Sequence, residues 1–314
     1  MKQFSLIILS IITLLSSCYK DIDVYDPNTY QPYIGITSIF AQDSLMKVWI
    51  YKTASPGNFN NSNIINDANV KLYEDQSLVG ELTFEQQGDI GYYKSNIIPR
   101  AGHTYKIEVE ALGQTAWAVD TLPALPEFQI SEVRIIDTMS EYYYIEKGSN
   151  LLYVDIDVNL VLLETNDYFY AFAAYSVIDP VYSVIDSVNY WYYLREDDDF
   201  VSLDKEQFQK ISIPVLGGYN NFYLYKPKFY ETGDILITFP ITGIAEKIGD
   251  SIKINFVVAK LSKTLYEFYI SYDLYFRTMY NPFIEPVNLR MNVNNGLGLF
   301  AGFSYRDTSY IIRF

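Results

Sequence analysis

Short runs rich in Val, Ile, Thr and aromatic residues recur from about residue 31 to the end of the chain, each alternating apolar with polar positions between Asn, Gly, Pro or Asp clusters. A period of two puts one set of side chains on each face of a strand, so such runs cannot settle as helices. In residues 104–110, Tyr105, Ile107 and Val109 share one side while Lys106, Glu108 and Glu110 share the other. One buried and one wet face is the pattern of an antiparallel β-sandwich. Further strands are expected at 44–51, 68–73, 77–84, 128–137, 153–163, 168–177, 211–216, 234–239 and 251–259.

Two prolines, Pro123 and Pro126, stiffen the backbone and end strand pairing. The expected division is a β-sandwich over 31–125 and a larger β-rich domain over 126–314. One stretch departs from the β pattern. After Ser262, residues Leu265, Phe268, Tyr269, Tyr272, Tyr275, Phe276 and Met279 fall at steps of three and four. With Ser262 as N-cap and Asn281-Pro282 as a stop, the spacing predicts one amphipathic helix near 263–280, its aromatic stripe packed on a sheet. The tail, 287–292, 299–305 and 309–314, reads as strands around the Asn/Gly turn at 293–298. The fold class expected is mainly β, two antiparallel β-sandwich domains with one helix in the second.

The first residues give a different signal. Met1-Lys2-Gln3 precedes an apolar run from Phe4 to Leu15, which has the charge and length of an export signal and is too short to span a bilayer. The run ends in Leu15-Ser-Ser-Cys18, which resembles the lipobox of bacterial lipoproteins. Cleavage before Cys18 would remove 1–17 and leave the cysteine as a lipidated N-terminus. Each buried CH₂ contributes about 0.8 kcal/mol, so several acyl chains make a durable tether where one would not. Cys18 is the only cysteine, so disulfides and cysteine-ligated zinc are not expected. Residues 18–30 are polar, acidic and turn-forming, as a tether should be.

Net charge is −15 and no block of Lys or Arg occurs, which argues against nucleic acid and against peripheral binding to anionic lipid. His103 is the single histidine, so neither a histidine triad nor a multi-histidine metal site is available, and its place in a turn points to a structural role. No catalytic residue, metal site or cofactor is expected. Glu196-Asp-Asp-Asp199 lacks the glycine and distal Glu of a calcium loop and reads as a solvated acidic loop. Tyrosine is abundant at 31 residues. Most of these fit pleated cores, but Tyr190, Trp191, Tyr192 and Tyr193, beside the acidic run, are the candidate binding surface for a glycan, a peptide or a partner protein.

Two stretches are more specific. Asp67-Ala-Asn-Val-Lys-Leu-Tyr-Glu-Asp75, then Gly91-Tyr-Tyr93 and residues 99–109 form the first. Asn281-Pro-Phe-Ile-Glu-Pro-Val287 with Asn294-Asn-Gly-Leu-Gly-Leu-Phe-Ala-Gly302 forms the second. With the lipobox they resemble Bacteroidota outer-membrane lipoproteins grouped as a domain of unknown function and often encoded beside TonB-dependent receptors. The first stretch is also similar to carboxypeptidase-regulatory-like and immunoglobulin-like modules, with a longer turn at Pro99-Arg-Ala-Gly102. The resemblance implies a lipid-anchored, surface-facing outer-membrane protein, and a TonB-dependent receptor as partner. It carries over no catalytic residue. The expectation is a non-enzymatic accessory, with a carboxylate-dependent hydrolase of glycan or peptide, or a purely structural or adhesive lipoprotein, as alternatives.

Overall fold

Alternation of Ile, Val and aromatic residues with polar ones yields eighteen strands and one helix among the described residues. The computed structural model describes residues 30–55, 63–88, 90–139, 151–163, 169–178, 188–191, 193–194, 208–214, 219–225, 235–279, 281, 283–285 and 287–313. Contacts divide the chain into two units, Met1–Pro32 with Ala54–Ser62, and Tyr33–Thr53 with Asn63–Phe314. The described residues of the first, 30–32, 54 and 55, form no helix or strand. Every element below belongs to the second.

The first eight strands are β1 (Ile34–Phe40), β2 (Lys47–Lys52), β3 (Asn69–Glu74), β4 (Ser77–Glu81), β5 (Thr83–Gln87), β6 (Ile90–Lys94), β7 (Thr104–Ala111) and β8 (Gln114–Thr121). They form two layers: β1, β2, β6 and β5 in one, and a four-stranded sheet ordered β4-β3-β7-β8 in the other. Ile34, Ile36, Val48 and Ile50 from the first layer meet Val70, Leu72, Tyr105, Ile107 and Val109 from the second in one core. Residues 77–84 do not form a single strand. Leu82 is buried, and its N–H bonds to Val70 O at 2.8 Å, so the chain turns there from one sheet into the other.

Beyond residues 121–126 come β9 (Glu127–Met139), β10 (Leu151–Leu163), β11 (Phe169–Ile178), β12 (Val188–Trp191), β13 (Tyr193–Leu194), β14 (Phe208–Pro214), β15 (Tyr219–Tyr225), β16 (Ile235–Ile248) and β17 (Ser251–Leu261). The helix α1 (Lys263–Thr278) and β18 (Leu297–Arg313) end the chain. In β10 the alternation is complete, with Val154, Ile156, Val158, Leu160 and Leu162 all buried. They pack with Tyr170 and Phe172 of β11, and with Ile252, Ile254, Phe256 and Val258 of β17, as a second core between layers. The fold is thus mainly β, with several antiparallel sheets and one helix, as the sequence predicts.

One pairing is parallel and joins sequence extremes. Gly35 to Phe40 lie beside Leu297 to Gly302, and Phe300 completes the core of the first eight strands. The motif 294–302 permits that approach. Gly298 has φ +119°, and a Cβ there would lie 2.0 Å from Ile36 O; at Gly296 it would lie 2.5 Å from Ile34 O. Residues 287–293 are not a strand. Instead the Asn292 side chain bonds both the N–H and the C=O of Phe300, at 2.9 and 2.8 Å. The two strands expected at 299–305 and 309–314 are one, running through Arg313.

Candidate functional site

The helix is the element whose sequence promises most and whose packing delivers only part of it. Ser262 caps it, its Oγ accepting from Leu265 N at 3.1 Å. The apolar stripe runs the full length, but the sheet covers only its first half. Leu265 is 1 % and Tyr269 2 % exposed, both packed with Leu261, Leu299, Ala301 and Phe303. Phe169 of β11 stacks on Tyr266 with ring centroids 4.2 Å apart. Further along, Phe268, Tyr272 and Phe276 continue as a ladder of rings spaced 5.8 and 5.7 Å. There the cover ends: Phe276 is 54 % exposed and Met279 is exposed.

The chain then makes a tight turn on Asn281, whose Oδ1 accepts from Phe283 N at 3.0 Å and whose C=O accepts from Ile284 N at 3.2 Å. Phe283 stands 95 % exposed, with Ile284 exposed beside it. An isolated exposed apolar residue is ordinary, but a contiguous aromatic and aliphatic set marks a surface made for contact. Phe276 and Met279 at the helix end and Phe283 and Ile284 just after it are four exposed apolar side chains within nine positions of the chain.

A second constellation lies at the end of β3 and the start of β7. Arg100 grips Glu74 with two of its guanidinium nitrogens, Nε to Oε1 at 3.0 Å and Nη2 to Oε2 at 2.6 Å. The Tyr105 hydroxyl donates to Glu74 Oε1 at 2.5 Å and accepts from Arg100 N at 2.7 Å. His103 Nδ1 lies 2.5 Å from Asp75 Oδ2, whose other oxygen accepts from Thr104 N at 3.0 Å. The Arg100 bond holds the Glu74 carboxyl below its usual range, and the Thr104 N–H and then His103 do the same for Asp75. Burial pushes the Tyr105 phenol up to about 12. These groups spend their polar capacity on one another, and the result is a clamp between the β3–β4 turn and the 99–103 turn.

Asp120, at the end of β8, is a buried carboxylate that no local sequence pattern singles out. Its Oδ2 accepts from Gly302 N at 2.8 Å and its Oδ1 from the Thr264 hydroxyl at 3.0 Å, so one side chain pins β18 and the first turn of α1 to β8. Burial raises its pKa, against the pull of the Ser262, Gly302 and Thr264 bonds.

Of the residues singled out from sequence, Cys18, the tether to residue 29, Tyr192 and the acidic run 196–199 lie outside the described residues. Tyr190 and Trp191 belong to β12, where Trp191 pairs with Tyr175 of β11. Tyr193 begins β13 and pairs with Thr242 of β16. The described residues of the run are therefore divided between two strands with different partners rather than lying along one.

A family model described as a domain of unknown function, DUF4249, matches residues 22–309. The chain belongs to that family. Both distinctive stretches, the clamp and the helix end of this DUF4249 member fall inside the match. No curated protein matches the sequence. Among solved structures, a protein from Corynebacterium diphtheriae described as membrane anchored is 11% identical over 73% of this chain, with a TM-score of 0.20. This chain covers 54% of that one, about half its length. A structure of manganese lipoxygenase of Gaeumannomyces graminis with part of zonadhesin of Komagataella pastoris is 11% identical, covering 74% of this chain and 90% of that one at a TM-score of 0.17. The BSP domain of a biofilm-associated protein is 7% identical, covering 93% and 61% at 0.15. At such scores none of the three informs fold or function.

Proposed function

We propose that this DUF4249 protein is a lipid-anchored outer-membrane lipoprotein, facing the cell surface and serving as a non-enzymatic accessory of a TonB-dependent transport system. The observation that carries the proposal is the bare end of α1, where the ring ladder from Phe268 through Tyr272 runs out to exposed Phe276, followed by exposed Phe283. Exposed aromatic anchors of this kind are what protein interfaces bury at their centre. The lipobox at Cys18 supports the location, since anchoring beside the pore raises the effective concentration of a docking partner without any new contact.

The net charge of −15 disfavours self-association through this surface, because two copies would repel. A transporter in the same membrane is the partner of fitting chemistry. The test is isolation of the chain from its native membrane in mild detergent. A TonB-dependent transporter eluting with it, together with labelled palmitate on the chain that Cys18→Ala removes, is the expected result. A monomer with neither partner nor ligand would overturn the proposal.

A further inference from the structure

Among the described residues, the C-terminal half of β18 is paired on one side only. Along one side it pairs with β17 without a register shift, from Phe303 opposite Leu261 to Arg313 opposite Ser251. Along the other, β1 accompanies it only as far as Gly302. One residue group further is capped by a side chain: Gln42 Nε2 donates to Tyr305 O at 2.9 Å, and Gln42 Oε1 accepts from Tyr305 N at 3.3 Å. That bond fixes the direction of the Tyr305 backbone groups, outward from β17. Direction repeats every second residue in an unbroken strand, so the N–H and C=O of Asp307, Ser309 and Ile311 point the same way. Among the described residues no backbone partner meets them.

The space beside this edge is a cleft of about 510 Å³ between β18 and the start of β9. Phe128, Ile130 and Tyr310 form its apolar floor, each leaning on the second core. Gln129, Arg306, Asp307 and Thr308 supply the polar remainder of its lining. Sheets usually guard such an edge with a bulge, a proline or lysines. This one has an even register and no proline, and its exposed charges, Arg306, Asp307 and Arg313, stand at its two ends with Ile311 exposed between them.

We propose that this seam is a peptide-binding site, taking one extended segment of another polypeptide by strand addition to β18. The backbone array decides the ligand class, because alternating donors and acceptors at strand spacing are satisfied in full only by another extended backbone. Every second side chain of the added strand would point into the cleft, so apolar residues at alternate positions are selected by Phe128, Ile130 and Tyr310. Both signs of charge at the rim impose no net charge on the ligand. The seam shares no residue with the bare end of α1, and the two sites stand or fall separately.

The test uses the lipidated chain in detergent and a displayed library of nine-residue peptides carrying Val, Ile or Thr at alternate positions. The expected result is an enriched peptide that slows amide exchange at Asp307, Ser309 and Ile311. Binding should weaken about tenfold or more when the peptide amides facing β18 are N-methylated. Ser309→Pro should remove binding while the melting temperature holds, and the N-methylated peptide gives the same answer should that variant unfold. The proposal is overturned by no enrichment, by protection elsewhere, by equal binding of the N-methylated peptide, or by amides already protected before any peptide is added. A dimer of the chain that Ser309→Pro dissociates would assign the edge to a second copy and overturn it as well.

Discussion

Asp120 ties three elements together with one buried carboxylate, and its titration should be visible in stability. Because burial raises its folded-state pKa above the ordinary aspartate value of 3.8, the folded chain keeps a proton that the unfolded chain has already lost. That contribution is complete below 3.8 and is lost as pH rises through the folded pKa. Asp120→Asn removes the titration, so the stability of wild type relative to this variant should fall with rising pH across that window. Urea midpoints measured from pH 3.5 to 7 check this, and a difference that grows with pH contradicts it. Asp120→Ala removes the acceptor for Gly302 N–H and the Thr264 hydroxyl, and should cost roughly 2–3 kcal/mol. At Gly298, with φ +119° and Ile36 O in the way of a Cβ, alanine should cost about 2 kcal/mol or more by thermal unfolding. None of this was readable locally. Thr-Leu-Pro after Asp120 signals only a strand end, and what makes the residue matter arrives from positions 262, 264 and 302. The Gly-rich tail motif was visible as a pattern, but its reason, a backbone approach to β1, was not.

At the scale of elements, what sequence discloses is what depends on near neighbours. Tyr105, Ile107 and Val109 are all buried in β7 as alternation predicts, and Ser262 caps the helix at the expected residue. The division of 77–84 at Leu82 escaped because alternation continues through the change of sheet. The parallel pairing of β1 with β18 escaped because its partners are separated by most of the chain, and no local period encodes a partner. Residues 287–293 misled because Asn292 does with a side chain what a strand would do with backbone. The helix was legible in position and phase. How far along the sheet would cover it was not, since that depends on where the sheet ends. It covers Leu265 and Tyr269 and leaves Phe276 bare.

For the whole molecule, three buried clusters among the described residues share β18, which contributes Phe300 to one, Ile312 to a second, and Leu299, Ala301 and Phe303 to the third beneath α1. Stability rests on those cores and on the junction at Asp120, whereas the helix end and the turn at Phe283 contribute little to it. Substituting exposed residues away from packed features usually changes stability by no more than about 0.5 kcal/mol. Docking and folding can therefore be separated by mutation. The most direct measurement is the amount of TonB-dependent transporter that elutes with the lipidated chain in mild detergent, compared with the double variant Phe276→Ser, Phe283→Ser. The account predicts a loss of about tenfold or more, as expected when central anchors are removed, with the melting temperature of the variant unchanged. Equal transporter with both chains would contradict it.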